Sequence, residues 1–343
     1  MVHVVFPSRI IDRHVGGNTT YAREIRDGLL ARGHEVSTMP MAPHPALTAA
    51  LETGRGWVGP SDRLVHYSAD TGPLLPTRLP SVVTVHGVAS RWIGSARTSR
   101  QEAVWRARVR AAMRGTRAII TVSESAADDI SAVFGVDRES IDIILHGIDV
   151  EQFETPTPLS QKLSATVPEE YVLYLGNIEP RKNLMPLVRA FQQPPLRDLG
   201  IPLVIAGKPA WNFAESMAEI EAAPNVHHLG FVSDADRVAL MQGAALFAFP
   251  SLYEGFGFPV LEAMAAGTPV ATTRRGSLVE VAGPAWLLEE VDPESLGREI
   301  AAALQDRTWR AEVVAEGRRW ARRFTWDSSV QRHIDVYERV LGS

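Results

Sequence analysis

The sequence predicts an α/β protein with two domains, each built on a doubly wound parallel sheet. Short apolar runs typical of buried parallel strands alternate with amphipathic helical segments along the chain. The alternation stops once, at a stretch rich in proline and threonine, and then begins again. With 343 residues the chain is long enough for two domains of ordinary size. We therefore expect a first domain over residues 1–152, a linker over 153–167 and a second domain over 168–325.

The composition excludes several classes of protein. Hydrophobic residues make up 45% and charged residues 22%, the profile of a soluble globular protein. The net charge of -5 gives no global attraction to nucleic acid or to an anionic membrane. Cysteine is absent, which excludes disulfides and thiolate metal sites and fits a reducing compartment. Because the N-terminus reads as a strand and no run is long enough to span a membrane, we expect a cytoplasmic protein.

The first domain opens with a β–α–β unit. Its predicted elements are a strand, a polar loop, an amphipathic helix and a second strand, over residues 2–6, 9–18, 19–32 and 34–39. Gly16 and Gly17 precede the helix and allow a ligand to approach the backbone closely, although an ordinary turn would explain them equally well. The G-x-G-x-x-G fingerprint of dinucleotide sites is missing, which argues against NAD or FAD.

A histidine ends one of the later strands of the first domain. The predicted strands here cover residues 63–67, 81–86, 117–122 and 141–145. His86 ends the second of them, at the edge where parallel sheets bind ligands, so it is a candidate for contact at the reacting centre. A histidine that caps local backbone is the plainer interpretation. The basic helix predicted over 97–117 is typical of a solvated face, and its docking on a membrane or an acceptor is left open.

The second domain places two cations before a helix. A strand over 171–175 leads through a loop to a helix over 184–191, and Arg181 and Lys182 come just before that helix. Two cations and free backbone amides at one helix N-terminus would form an anion site, whereas the plainer interpretation is a basic pair on the surface. Further strands are expected over 203–206, 226–229 and 286–288, and Phe231 lies in a turn that could hold a nucleobase.

The most informative stretch runs from Ala244 to Thr272. A strand ending at Pro250 is followed by the loop Glu254-Gly-Phe-Gly-Phe258, a short helix over 259–266 that stops at Gly267, and another strand. A helix N-terminus after a glycine loop, at the carboxyl edge of a sheet, predicts a phosphate site.

Two glutamates flank this loop. Glu254 precedes the glycines and Glu262 is expected in the first turn of the helix. Carboxylates beside a polyphosphate are unfavourable unless they accept hydroxyl protons, so the pair suggests a sugar on one side of a diphosphate and a ribose on the other. Alternatively, Glu262 complements the helix dipole and Glu254 is a solvated loop residue. No group of histidine and carboxylate residues has convincing spacing for a metal, so no metal site is expected.

Four motifs in this order resemble a known family. Gly16-Gly17, His86, the run Gly176…Pro-Arg-Lys-Asn183 and Glu254-Gly-Phe-Gly-Phe-Pro-Val-Leu-Glu262 together look like the retaining glycosyltransferases of glycosyltransferase family 4, with its E-x7-E motif. The resemblance covers about residues 2–341 and implies the GT-B fold, two Rossmann-like domains facing a central cleft. It also implies that the final helix, 326–343, belongs with the first domain.

The resemblance implies a role for each matching residue. Arg181 and Lys182 would bind the donor diphosphate, Glu254 would contact the donor sugar, and His86 would lie near the transferred sugar. Glu262 would hold the ribose. The remaining contacts to the donor would come from Gly16, Gly17, Gly255, Phe256, Gly257, Val260 and Leu261. One departure is visible, because Gly87 stands after the histidine where many members carry an acidic residue.

The function that these expectations define is transfer of a hexose from a nucleoside diphosphate sugar to an acceptor hydroxyl, with retention and without a metal or other cofactor. The donor is expected to be GDP-mannose, with a UDP-hexose next. The acceptor would be a glycan, a lipid-linked sugar or a natural product. The alternatives are a hydrolase, phosphorylase or nucleotide-sugar epimerase on the same fold, a Rossmann oxidoreductase, and a sugar-nucleotide-binding protein without catalysis.

Overall fold

The computed structural model describes residues 1–12, 16–60, 62–94 and 98–342. The chain divides into two compact units. The first comprises Met1–Gly147 and the chain from Phe324 onward, and the second comprises Ile148–Arg323. The polar loop expected over 9–18 lies partly outside the described residues. Its first part is wrong, because Ser8–Ile11 form a short helix that buries Ile10 and Ile11.

The first unit contains a six-stranded parallel sheet with the order β2-β1-β3-β4-β5-β6. The strands are β1 His3–Pro7, β2 Glu35–Met39, β3 Arg63–Tyr67, β4 Ser81–Val85, β5 Ala118–Thr121 and β6 Ile141–Ile143. Strands β3 and β4 are almost entirely buried, as expected for a sheet covered by helices on both faces. The direction of winding reverses between β1 and β3, so the loops that leave these two strands border the crevice where such sheets bind ligands.

Helices cover both faces of this sheet. They are α1 Ser8–Ile11, α2 Gly17–Ala31, α3 Pro45–Arg55, α4 Ser99–Gly115, α5 Glu124–Phe134 and α16 Trp326–Gly342. Helix α3 was not predicted from the sequence. Helix α4 begins at a capping box formed by Thr98 and Gln101, and the Ser123 side chain accepts a hydrogen bond from the Ala126 amide at the start of α5.

Helix α16 closes the core of the first unit. Val330, Ile334 and Tyr337 lie in the same apolar cluster as the buried face of α2. The approach is close, because a Cβ atom on Gly28 would stand 2.4 Å from the Val330 side chain. Glycine at this position therefore lets the two helices pack tightly.

A polar network also joins α16 to the sheet. His333 Nε2 lies 2.7 Å from the Tyr21 hydroxyl, which lies 2.8 Å from Thr84 Oγ1. Thr84 in turn contacts His66 Nε2 at 2.8 Å, and His66 Nδ1 lies 2.7 Å from the Tyr337 hydroxyl. All five side chains are buried, so each polar group finds its partner within the protein.

The second unit repeats the same winding. Its six parallel strands have the order β12-β11-β10-β7-β8-β9. They are β7 Val172–Leu175, β8 Leu203–Ala206, β9 Val226–Gly230, β10 Leu246–Phe249, β11 Val270–Thr272 and β12 Trp286–Leu287. Here the winding reverses between β7 and β10, so the loops after these two strands share one crevice.

The helices of the second unit are α6 Val150–Glu154, α7 Gln161–Ser164, α8 Leu184–Phe191, α9 Leu196–Leu199, α10 Ala214–Ala222, α11 Asp234–Gly243, α12 Phe258–Ala266, α13 Leu278–Val281, α14 Pro293–Gln305 and α15 Arg307–Ala321. Helix α12 ends at Gly267, whose φ of 84° suits a glycine C-cap. The segment 153–167, expected as a linker, packs with this unit. Phe153 is buried, and its carbonyl accepts a hydrogen bond from Gln242 at 2.8 Å.

Candidate active site

The strongest candidate site lies at the winding reversal of the second unit. Arg181 and Lys182 come from the loop after β7, and Glu254 comes from the loop after β10. More than seventy positions separate the two loops in sequence. They meet because β7 and β10 are neighbouring parallel strands whose carboxyl ends share one edge.

Glu254 joins both cations. Its two carboxylate oxygens accept hydrogen bonds from Arg181 Nη1 and Lys182 Nζ, each at 2.6 Å. The Ser251 hydroxyl donates to the same carboxylate. Glu254 is only 7% exposed and Lys182 6%, so the plainer interpretations, a solvated glutamate and a basic pair on the surface, are wrong for these two residues.

The neighbouring cations keep Glu254 ionised despite its burial. Burial alone would raise the pKa of Glu254, but Arg181 and Lys182 outweigh it and hold that pKa at about 2. Burial and the neighbouring Arg181 lower the pKa of Lys182, while Glu254 opposes that shift. Lys182 Nζ also lies 4.7 Å from the centre of the Phe249 ring, a favourable position for a cation.

Most of the hydrogen-bond donors of Arg181 are used within the protein itself. Its Nε and Nη2 lie 2.8 and 2.5 Å from Glu179, and Nη1 donates to both the Glu254 carboxylate and the Tyr253 carbonyl. A guanidinium has five N–H donors, so these four contacts leave one for a ligand. Lys182 uses one of its three donors on Glu254. Lys182 is therefore the better placed of the two for an incoming phosphate, and Arg181 mainly orients the glutamate.

Ser277, the residue before α13, anchors the glycine loop. The Ser277 hydroxyl lies 2.9 Å from the Glu254 carbonyl and 2.7 Å from the Phe256 carbonyl, so its one O–H can donate to either. The Ser277 amide also donates to the Glu254 carbonyl, at 3.1 Å. Gly257 has a φ of 105°, and a Cβ atom there would stand 2.9 Å from Leu278. Both the left-handed backbone and the close contact require glycine at this position. Gly255 lies between these anchored residues.

Replacing Ser277 with alanine should loosen this loop. The Phe256 carbonyl would lose the hydroxyl as a donor, while the Glu254 carbonyl would keep the Ser277 amide. We therefore expect the free energy of unfolding to fall by about 1–2 kcal/mol and nucleotide affinity to fall. Urea unfolding and a nucleotide titration measure the two effects. Ser164→Ala, at an exposed serine of the same unit, is the matched control, and equal behaviour of the two variants would contradict this role for Ser277.

Helix α12 begins one residue earlier than expected. Phe258 is its first residue, so Glu262 lies in the second turn and the prediction of a first-turn position is wrong. Val260 and Leu261 are fully buried, and the Val260 amide donates to the Gly257 carbonyl at 3.1 Å. Glu262 is buried as well, and it accepts a hydrogen bond from Arg237 Nη1 at 2.8 Å.

Arg237 forms an ion pair with Glu262, and this contact was not predicted from the sequence. Its guanidinium carbon lies 5.2 Å from the centre of the Phe153 ring. Burial opposes its charge, but Glu262 raises the pKa of Arg237. The missed signal is its position in the first turn of α11, directly after the carboxyl end of β9.

Phe231 follows β9 and is 67% exposed, with Lys208 Nζ 5.8 Å from its ring centre. An exposed aromatic ring next to a cation at the edge of the sheet can stack on a planar ligand. Its predicted contact with a nucleobase stays a prediction.

In the first unit, the structure places His86 directly after β4. Its Nε2 lies 2.9 Å from the Ser68 carbonyl, and its backbone amide donates to Asp70 at 2.8 Å. Burial lowers the pKa of His86, while Asp70 and the Ser68 carbonyl oppose this. The contacts with local backbone match the plainer interpretation of this histidine. Gly16 caps α2 with a φ of 120°, and Gly17 is the first helical residue.

Within the described ranges there is no cluster of three or more histidine or carboxylate residues that could hold a metal ion. In the same part of the chain, every helix is too short or too polar to cross a membrane.

The fold of the chain is similar to that of known glycosyltransferase structures. Two units with doubly wound parallel sheets define the GT-B class of fold. Sucrose-phosphate synthase from Thermosynechococcus elongatus has this fold, with a TM-score of 0.79 over 100% of both chains at 17% identity. Anabaena HepE, solved with UDP and glucose, has a TM-score of 0.75 over 99% of this chain and 100% of its own at 18% identity.

The sequence comparisons specify the family. The family model described as "Glycosyl transferases group 1" matches residues 157–320, and the one described as "Glycosyltransferase Family 4" matches residues 63–152. The chain belongs to the GT-B glycosyltransferases of the family 4 type.

Two curated relatives are mannosyltransferases by name. O-antigen chain mannosyltransferase B of Escherichia coli is 36% identical over 173 residues, 49% of this chain and 45% of that protein. MMP alpha-(1->4)-mannosyltransferase of Mycolicibacterium hassiacum is 31% identical over 278 residues, 77% of this chain and 66% of that protein. The chain thus spans about half of the first relative and about two thirds of the second.

Proposed function

We propose that this protein is a retaining glycosyltransferase that moves a hexose from a nucleoside diphosphate sugar to an acceptor hydroxyl without a metal. The favoured donor is GDP-mannose and the second is a UDP-hexose. The acceptor is a glycan, a lipid-linked sugar or a natural product. The observation that carries this proposal is the buried Lys182–Glu254 pair beside the N-terminus of α12.

The pair supplies the two kinds of group that such a donor requires. Lys182 has two N–H donors left for the diphosphate, and the N-terminus of α12 adds a positive dipole end. Glu254 is ionised at neutral pH and can accept hydrogen bonds from sugar hydroxyls. Positive charge fixed where the leaving diphosphate develops its charge is the main catalytic device available to this site.

The proposed chemistry is a front-face substitution. The bond between the anomeric carbon and the diphosphate oxygen breaks, and the acceptor oxygen bonds to the same face of the sugar. The acceptor proton passes to the leaving diphosphate. Lys182 stabilises that group, and Arg181 keeps Glu254 oriented through its contacts with Glu179 and Tyr253. His86 stays a predicted substrate contact.

The choice of sugar comes from the curated relatives. Both are named mannosyltransferases, and their identities of 36% and 31% favour mannose over glucose. The HepE structures share only the fold, but one contains UDP-glucose, so this donor belongs in the same test.

Thermal stabilisation by GDP, UDP, ADP, TDP and their sugar conjugates, with EDTA present, tests the donor. A ligand at one hundred times its dissociation constant should add about 2.7 kcal/mol of stability. We expect GDP and GDP-mannose to give the largest shift in Tm, and EDTA to leave it unchanged.

Two variants make this test specific. Lys182→Ala should lose the shift, whereas Lys162→Ala, at an exposed lysine of the same unit, should keep it. Binding without sugar transfer in an acceptor screen would indicate a binding protein, and free hexose or an epimerised donor would indicate a hydrolase or an epimerase. The absence of any shift would overturn the phosphate site.

A further inference from the structure

A second concave site lies in the second unit, on the outer side of α13. It is a groove with a volume of about 540 Å³ between α13, β12 and the C-terminal half of α15. Arg274, Arg319, Arg323, Glu316, Trp320 and Val279 line it. These residues differ from those of the candidate donor site.

The groove concentrates positive charge in a protein with a net charge of -5. Arg274, Arg319 and Arg323 are exposed, and among the described residues no carboxylate forms an ion pair with any of them. Among the described residues that line the groove, Glu316 is the one acidic side chain, so they carry three positive charges against one negative charge. By contrast, Arg322, the residue directly after α15, is paired with Glu154.

Trp320 gives this groove a fixed wall. Its indole Nε1 donates to the Val281 carbonyl at 3.0 Å, and the Arg323 guanidinium carbon lies 4.3 Å from the ring centre. A Cβ atom on Gly283, where φ is 49°, would stand 2.6 Å from the same indole. Glycine is therefore required next to the tryptophan, and the Arg323 guanidinium lies over the anchored indole, a favourable position for a cation.

The groove also has an apolar side. Val279 is 51% exposed although it lies on α13, a helix that buries Leu278 and Val281 on its other side. Arginine side chains suit phosphate oxygens because their planar N–H groups can bind two oxygens at once. Three arginines around a partly apolar cleft of this size fit a small molecule with one phosphate and a short carbon portion.

We propose that this groove binds a phosphate monoester, with the phosphate held by Arg274, Arg319 and Arg323 and the carbon portion against Val279. This site is additional to the donor site and does not depend on the proposed reaction. The same chemistry is offered by a soluble sugar or polyol phosphate and by a phosphatidic acid headgroup, and the experiment separates these two sources.

The test uses Trp320 as a local reporter. The full chain, with its eight tryptophans labelled with ¹⁵N, is titrated with glycerol 3-phosphate and, separately, with uncharged glycerol. The Trp320 indole signal is assigned by its absence in Trp320→Phe. We expect a saturable shift of this signal with glycerol 3-phosphate and none with glycerol. Vesicles with and without phosphatidic acid are sedimented with the protein in parallel.

Matched variants decide the outcome. Arg319→Gln should weaken binding about tenfold, because a hydrogen bond to a charged group is lost. Arg307→Gln, at an exposed arginine of the same helix outside the groove, should leave binding unchanged. Lys182→Ala should also keep the Trp320 shift, which separates this site from phosphate binding at the donor site.

Each outcome of the titration and the sedimentation leads to one conclusion about the groove. A shift that depends on Arg319, without sedimentation, supports a soluble ligand, and sedimentation that depends on Arg319 supports the headgroup. The proposal is overturned if neither probe binds, or if Arg319→Gln binds as tightly as Arg307→Gln does. Failure of the nucleotide panel would leave these outcomes unaffected.

Discussion

Lys182→Ala is expected to lower kcat by about two to three orders of magnitude while the protein stays folded. The variant removes the cation that we place against the leaving diphosphate. Glu254 keeps Arg181 and Ser251 as partners, so no uncompensated buried carboxylate is created. Release of nucleoside diphosphate from the identified donor measures turnover, and the unfolding temperature shows whether the fold is intact.

Glu254→Gln is expected to affect both catalysis and folding at the same place. The buried Lys182 and the half-buried Arg181 would then face a neutral amide, so this variant should lose both turnover and about 3–5 kcal/mol of stability. Lys162→Ala serves as the control at an exposed lysine. If Lys182→Ala turned over donor at nearly the rate of the unchanged protein, the role assigned to Lys182 would be wrong.

The second large effect is a loss of stability of the first unit in acid. His66, His146 and His333 are buried, and burial lowers the pKa of each, that of His333 to about 4. Their unfolded pKa is about 6.5, so below that pH the unfolded chain binds more protons than the folded one. The stabilisation is complete above pH 6.5 and falls as the pH drops towards 4. His333 alone accounts for about 3 kcal/mol over this range.

Urea unfolding at several pH values between 7.5 and 4.5 measures this effect, and hydrogen exchange in α16 shows where it arises. His333→Gln should reduce the pH dependence by the share of His333, because glutamine cannot take up the proton, whereas His66 and His146 keep theirs. His227→Gln, at an exposed histidine, should leave the dependence unchanged. Equal pH dependence in the two variants would contradict a role for the buried cluster.

The sequence was sufficient to predict where the candidate site lies. Glu254, Arg181 and Lys182 follow strands of one predicted parallel sheet, and the carboxyl ends of such strands share an edge. The direct pairing of these three residues was not predictable, because it depends on β7 and β10 being neighbours and on side-chain rotamers. The hydrogen bonds from Arg181 to Glu179 and Tyr253, which use most of its donors, were not predictable for the same reason.

Other features of the structure were not predicted from the sequence, for different reasons. Helix α12 includes Phe258, and this shift of one residue moves Glu262 out of the first turn. Element ends are the least certain part of any pattern, because the capping backbone decides them. The contact between Tyr21 and His333 joins residues 312 positions apart, and hydrophobic periodicity carries no information about polar partners at such separations.

The first unit is discontinuous in sequence, since α16 completes a core that begins with β1. Recombination between relatives at the junction after Gly147 would combine one parent's α2 with the other parent's α16. Such a chimera would have to match Gly28 to the residue at Val330, and Tyr21 to the residue at His333. An exchange of this unit should therefore take Met1–Gly147 and the chain from Phe324 onward from the same parent.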